Sequence, residues 1–212
     1  MGSQTVLELI GSSMVFGLLL LMTIRMNTAN SENIQTFHGD LIVQENLVTL
    51  TSILEYDFRK LGYCKDPTKI PDPSKAILQA DSNKIRFLTD LHNTGTLDSL
   101  SYYVGPTSEA SATPNPDDRL FYRVENNNTP HGVNLGVTTF DFRYFDAMKN
   151  KLSFPIANRG LIQTMQITIQ CESYAPTVFR AMGESRTDSI YNTYQSAYWR
   201  QVRLVAKNLR NR

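Results

Sequence analysis

The run VLELIGSSMVFGLLLLMTI, Val6 to Ile24, constrains this chain more than any other stretch. It is apolar throughout, carries one charge at Glu8, and contains no Lys, Arg, Asp or Pro. A helix needs about 20 mostly apolar residues to cross a bilayer, so the run is just long enough. A cleaved secretory signal would want basic residues ahead of a shorter apolar stretch and a small-residue site behind it. Here Met1, Gly2 and Ser3 lie ahead and Arg25-Met26-Asn27 follows. The expectation is a retained membrane helix with a short leader over residues 1–29. Arg25 is the only basic residue before Arg59, and taken alone it weakly favours a cytoplasmic domain behind the helix.

The helical pattern continues past the membrane run. Ile34, Phe37, Leu41, Leu47, Leu50, Leu54, Phe58 and Leu61 recur mostly at three- and four-residue steps, with Glu32, Asp40, Glu45, Glu55 and Lys60 between them. That spacing predicts one amphipathic face. Gly62 is a plausible cap, and Pro67, Pro71 and Pro73 forbid continuation. One helix from about Thr5 to Leu61 is expected, its second part and the Pro-rich connection occupying residues 30–75.

From Ala76 the period changes to two, and residues 76–212 read as an antiparallel β domain. KIRFLTD and SLSYYVG form a strand pair joined through Asn93-Thr94-Gly95, and RLFYRVE a third strand. GVTTFDFRYFD is a fourth, with Phe140, Phe142 and Tyr144 on one face. In TMQITIQC, Met165, Ile167, Ile169 and Cys171 alternate with Thr164, Gln166, Thr168 and Gln170, the mark of a sheet with one buried face. SAYWRQVRLVA closes the chain with Val202, Leu204 and Ala206 in phase. Pro106 to Asp118, Asn126 to Asn134 and Arg180 to Gln195 read as loops. A helix followed by antiparallel strands is an α+β layout in which the helix stripe and the sheet face need each other.

The formal net charge is +1, with acids and bases interleaved, so no electrostatic footprint for nucleic acid or anionic lipid is present. No phosphate loop, dinucleotide fingerprint, nucleophile elbow or zinc-protease helix occurs. Without an acid, base and nucleophile at motif spacing, the expectation is a protein that is not an enzyme and uses no cofactor. His38, His92 and His131 are isolated. Asp117-Asp118 and Asp141 near Asp146 lack the Asp-x-Asp-x-Asp-Gly spacing of a calcium loop, so no metal is expected. Trp199, beside Tyr198, Arg200 and Arg203, could stack a base, but strand packing explains it better. A Cys64–Cys171 disulfide would pin helix to sheet and stabilise by about 2 to 4 kcal/mol. The alternative is a free thiol at Cys64 and a small core residue at Cys171. Glu8 is open in the same way. It is either a membrane charge that meets a partner, or an interfacial acid at the positive end of the helix dipole.

The neighbours of Glu8 bear on that choice. QTVLEL, Gln4 to Leu9, resembles the start of mature type IV pilins and pseudopilins: an N-terminal residue, Thr, two apolar residues, Glu fifth and Leu next. ILEYDFRKLGYC, Ile53 to Cys64, and GVTTFDFRYFDAMKNKLSF, Gly136 to Phe154, are similar to the helix end and central hairpin of minor pseudopilins of the GspJ and PilW type. With the final VRLVAKNLRNR these segments fall in the expected order along the chain. The resemblance implies a structural subunit of a type IV pilus or a type II secretion pseudopilus, held in the inner membrane with its β domain outside, then in the filament, near the tip. It implies Glu8 as the assembly residue, pairing with a neighbouring subunit's N-terminal amine. It further implies prepilin peptidase as a partner, with Gln4 as the methylated mature N-terminus. Cutting after Ser3 leaves Glu8 fifth, and cutting after Gly2 leaves it sixth. The alternatives are an anchored exterior binding domain that never assembles and a domain that binds DNA or a surface ligand.

Overall fold

The computed structural model describes residues 2–70, 72–174, 177–178, 192–194 and 196–205. Pro71, Ala206, most of the expected Arg180 to Gln195 loop, and the side chains of Tyr198, Arg200, Val202, Arg203 and Leu204 lie outside what is described. Helix α1 spans Gly2–Arg59. Two compact units are distinguished, Met1–Gly39 and Asp40–Arg212.

The first unit is helix alone, and none of its described residues is buried. It carries the one helical segment among the described residues that is long and apolar enough to cross a membrane, with none of that apolar window covered by protein. It is a candidate membrane anchor.

In the second unit the helix has a buried side. Val43, Leu50, Leu54, Phe58 and, just past the helix, Leu61 are buried, with Leu47 packed beside them. The continuous stripe expected from Ile34 onward does not form: Ile34, Phe37 and Leu41 are exposed. The step from Leu41 to Leu47 is six residues, which turns a helix about 240° beyond a whole turn and breaks the phase. Val43, not Leu41, begins the stripe that reaches the sheet.

The chain leaves the helix at Gly62, whose φ of 71° is the left-handed value a capping glycine takes without strain. Its N–H donates to the Leu88 carbonyl at 2.9 Å. Asp66 and Asp72 then cap single 3-10 turns begun by Pro67 and Pro73, each accepting the N–H two residues on at 3.0 Å.

Strands β1 (Ile77–Ala80), β2 (Lys84–Thr89), β3 (Asp98–Val104), β4 (Arg119–Glu125), β5 (Gly132–Phe145) and β6 (Thr164–Glu172) follow. β7 (Thr177–Val178) and β8 (Asn192–Thr193) pair separately, and β9 (Ser196–Val205) lies beside β6. The main sheet has the order β1-β2-β3-β4-β5-β6-β9, every neighbour antiparallel. Ile85, Phe87, Thr89, Phe140, Phe142, Tyr144, Met165, Ile167, Ile169 and Cys171 are buried, as the period-two pattern predicts. Phe58 joins helix to sheet, its ring 5.1 Å from Phe87, 5.6 Å from Tyr102 and 6.1 Å from Phe142. The layout is α+β, a long N-terminal helix with an antiparallel sheet.

Four strands differ from the sequence reading. β1 and β7 are extra, β8 lies inside the expected Arg180 to Gln195 loop, and β5 begins at Gly132, inside the expected Asn126 to Asn134 loop. The early start of β5 follows from Gly136, where φ is +67° and an added Cβ would lie 2.4 Å from the Glu172 carbonyl oxygen. Only glycine lets β5 pass that close to the end of β6.

Candidate functional site

Gly2, Ser3 and Gln4 form the first turn of α1, and Thr5 Oγ1 donates back to the Gly2 carbonyl at 3.1 Å. Glu8 is exposed on the next turn, among apolar side chains such as Leu7 and Leu9 that are also exposed. The polar residues of the apolar run satisfy themselves. Ser12 donates to the Leu9 carbonyl at 3.0 Å, Ser13 to Ile10 at 2.9 Å and Thr23 to Leu19 at 2.8 Å. A hydroxyl bonded to its own helix carries little cost in hydrocarbon. Glu8 has no such local answer, and it is the single charged side chain from Val6 to Ile24.

A second charged group lies in the Asp40–Arg212 unit. Asp57 sits on the buried side of α1 between Leu54 and Phe58, and is 1 % exposed. Its carboxylate accepts a hydrogen bond from the Tyr102 hydroxyl and one from Arg123 Nε at 2.7 Å. Arg123 Nε also reaches the Tyr102 oxygen at 3.0 Å, and Arg123 Nη1 pairs with Glu125. Tyr102 and Arg123 are direct cross-strand partners on β3 and β4, so the register delivers both to one point of the helix. Burial, then the Asp57 charge, pushes the Tyr102 phenol up. Burial works against the Arg123 charge, but the hydrogen bonds to Asp57 and Glu125 and the charges beside it together outweigh that, and the guanidinium is held protonated more firmly than usual. This closed network locks helix to sheet. The sequence hint for it was an acid inside an apolar stripe.

Two depressions lie among the described residues. One of about 670 Å³ follows the helix from Thr23 to Asn33 without a titratable lining residue. A shallower one of about 480 Å³ lies beside the network, lined by Ser52, Ile53, Tyr56, Asp57 and Arg123. His38, His92 and His131 are all exposed.

Cys64 and Cys171 are both buried and both free, so the disulfide alternative is not realised. The Cys64 sulfur faces the Asp90 carboxylate at 4.0 Å, whereas Cys171 lies in the sheet opposite Val137 and Ala197. Burial, with the Asp118 charge adding to it, pushes the Cys171 thiol up to about 12. Asp90 is the counterpart among buried acids. Burial alone would raise it, but N–H donors from Gly95, Lys65 and Thr94 at 2.8, 3.2 and 3.0 Å hold its carboxyl below the usual range.

Comparison with known proteins adds no relative: no family model, no curated protein and no solved structure matches the chain.

Proposed function

We propose that the chain is a minor pilin or pseudopilin, a structural subunit assembled into, or priming, a type IV pilus or a type II secretion-like pseudopilus. The observation that carries the proposal is the unequal covering of one helix. Residues 6–24 expose apolar side chains all round and hold one acid at Glu8, whereas residues 43–58 bury one side against a sheet. The TVLEL pattern around Glu8 supports the same reading. The apolar segment resides in the inner membrane, the β domain outside it. Assembly bundles the apolar segment with those of other subunits.

Glu8 then has a defined task. An ionised carboxylate in hydrocarbon costs several kcal/mol. A neighbouring subunit's N-terminal ammonium at about 4 Å supplies on the order of 4 kcal/mol of Coulomb attraction at an effective dielectric of 20. Pairing offsets part of both charges' penalty at once and fixes the axial stagger of the helices.

The test is Glu8→Ala at the native locus, scored for membrane insertion and for incorporation into sheared filaments. The expected result is normal insertion with incorporation reduced at least tenfold, and an N-terminal peptide of the wild-type protein that begins at Gln4 or Ser3 and carries a methyl group. Undiminished incorporation, or an unprocessed N-terminus, rejects the proposal and leaves a membrane-anchored exterior domain that binds a ligand or DNA without polymerising.

A further inference from the structure

Between Val43 and Phe58 helix α1 buries one side and leaves a second apolar side open. Leu41, Val48 and Tyr56 are 46, 62 and 60 % exposed, and Glu45 and Ser52 between them are exposed as well. At about 100° per residue these five side chains fall within roughly 80° of one another around the helix, about 180° from the mean direction of Val43, Leu50 and Leu54. Single exposed apolar residues are ordinary on a protein surface. A row of them over about four turns, opposite the core stripe, has no partner in the sheet, which takes the other side.

The shape of the row suits another helix. Val48, Ser52 and Tyr56 form an i, i+4, i+8 ridge of the kind that packs into a helical groove, and the small Ser52 at its middle allows close approach. The ridge ends at the shallow depression of about 480 Å³ lined by Ser52, Ile53, Tyr56, Asp57 and Arg123, room for a large side chain. The charge of the row is one-sided. No Lys or Arg occurs between Arg25 and Arg59, whereas Glu32, Asp40, Glu45, Glu55 and Asp57 do. Asp57 pairs with Arg123 and Glu55 with Arg59. Among the described residues no ion pair includes Glu45, the acid in the middle of the row.

We propose that Leu41 to Tyr56 is the docking surface for a helix of a different subunit, whose facing side is apolar and carries a lysine or arginine level with Glu45. Charge decides against the other occupants. A second copy running parallel and in register would set Glu45 against Glu45, and like charges face to face at an interface are repulsive. Hydrocarbon would have to take up the Glu45 carboxylate with no counter-charge. A basic residue on an otherwise apolar helix meets both demands of the row. The parallel direction rests on the filament reading above, in which anchored chains in one bilayer point the same way.

The experiment replaces Val48 with a photoreactive benzophenone amino acid in the full chain, expressed from its native locus, and irradiates intact cells. Tandem mass spectrometry identifies the joined peptides. The expected adduct joins position 48 to the apolar side of a helix in a different chain, with Lys or Arg within about one turn of the joined residue. Adding Glu45→Lys should lower the adduct yield at least about tenfold. The Tm of the full chain in detergent should stay within about 2 °C, because Glu45 is exposed. Reversing the charge of the partner's basic residue should restore the yield with Glu45→Lys. Should Glu45→Lys fail to fold, Glu45→Gln, which keeps the shape and removes the charge, must lower the yield severalfold.

An adduct between two copies, an adduct with lipid alone, or no adduct overturns the proposal. A yield that the foldable Glu45 variant leaves unchanged overturns it too. The filament reading fails separately. The expected adduct in a chain that never enters sheared filaments keeps the docking surface and removes the filament, and filaments that contain the chain without the adduct do the opposite.

Discussion

Residues 6–24 and 43–58 of α1 share one backbone conformation and differ in how their apolar side chains are arranged. In the first segment Leu7, Phe16, Leu20 and Met22 all stand half or more exposed, and they point in every direction around the helix. In the second Val43, Leu50, Leu54 and Phe58, which face the sheet, are at most 2 % exposed. Each Leu or Phe buried there stabilises by about 1.5 to 3 kcal/mol relative to exposure. An apolar stripe calls for one partner surface, and the chain supplies it in its own sheet. An apolar girdle calls for a partner on all sides, and none of that window is covered. The difference makes the first segment a candidate membrane anchor and the second a core element.

The sharpest way to break the comparison is at Phe58, which touches three aromatic rings of the sheet. Phe58→Ala should destabilise the Asp40–Arg212 unit by about 3 to 5 kcal/mol, from lost transfer energy and the cavity left behind. Urea unfolding of the full chain in detergent, followed by near-ultraviolet circular dichroism, reads it directly. A loss below about 1 kcal/mol would mean that the sheet does not depend on the helix, and the contrast between the two segments would lose its physical basis.

Asp57 gives the next largest effect. Removing it leaves the Tyr102 hydroxyl and Arg123 without their shared acceptor, and breaking a buried pair usually costs about 3 to 5 kcal/mol. Arg123 keeps Glu125 and is 31 % exposed. Water therefore takes up part of the loss, and Asp57→Ala should cost about 2 to 3 kcal/mol. Asp57→Ala and Arg123→Ala together should cost less than the sum of the two single changes, since both delete one interaction.

These residues also mark how far the sequence is legible. The strands of TMQITIQC and GVTTFDFRYFD announce themselves because alternation and one-sided burial are the same fact seen twice. β1 does not, because four residues with an irregular register between Ile77 and Gln79 are too few to show a period. The helix was legible as an element, but its stripe was misphased at Leu41, where side chains from two different sides of the cylinder fall into one run of near-periodic spacing. Asp57 reads as ordinary polar punctuation until Arg123, 66 positions away, is placed against it. The cysteines were undecidable because a disulfide is a matter of geometry alone. For Glu8 the residue pattern supplied the hypothesis, and the structure adds that the carboxylate has no local partner within its own apolar run.

The smallest effect is expected where the exposed apolar surface is greatest. Leu20→Ala removes a large side chain from the first segment, yet unfolding of the Asp40–Arg212 unit should change by less than about 0.5 kcal/mol, because Leu20 contributes nothing to that unit's core. Combined with Phe58→Ala, its effect should add to within about 0.5 kcal/mol, as for sites that share no partner. A destabilisation above about 1 kcal/mol, or a clear departure from additivity, would show that the segment draws its partner from within the chain. The two parts of the helix would then differ in degree, and the argument that the first is reserved for lipid and neighbouring subunits would have to be given up.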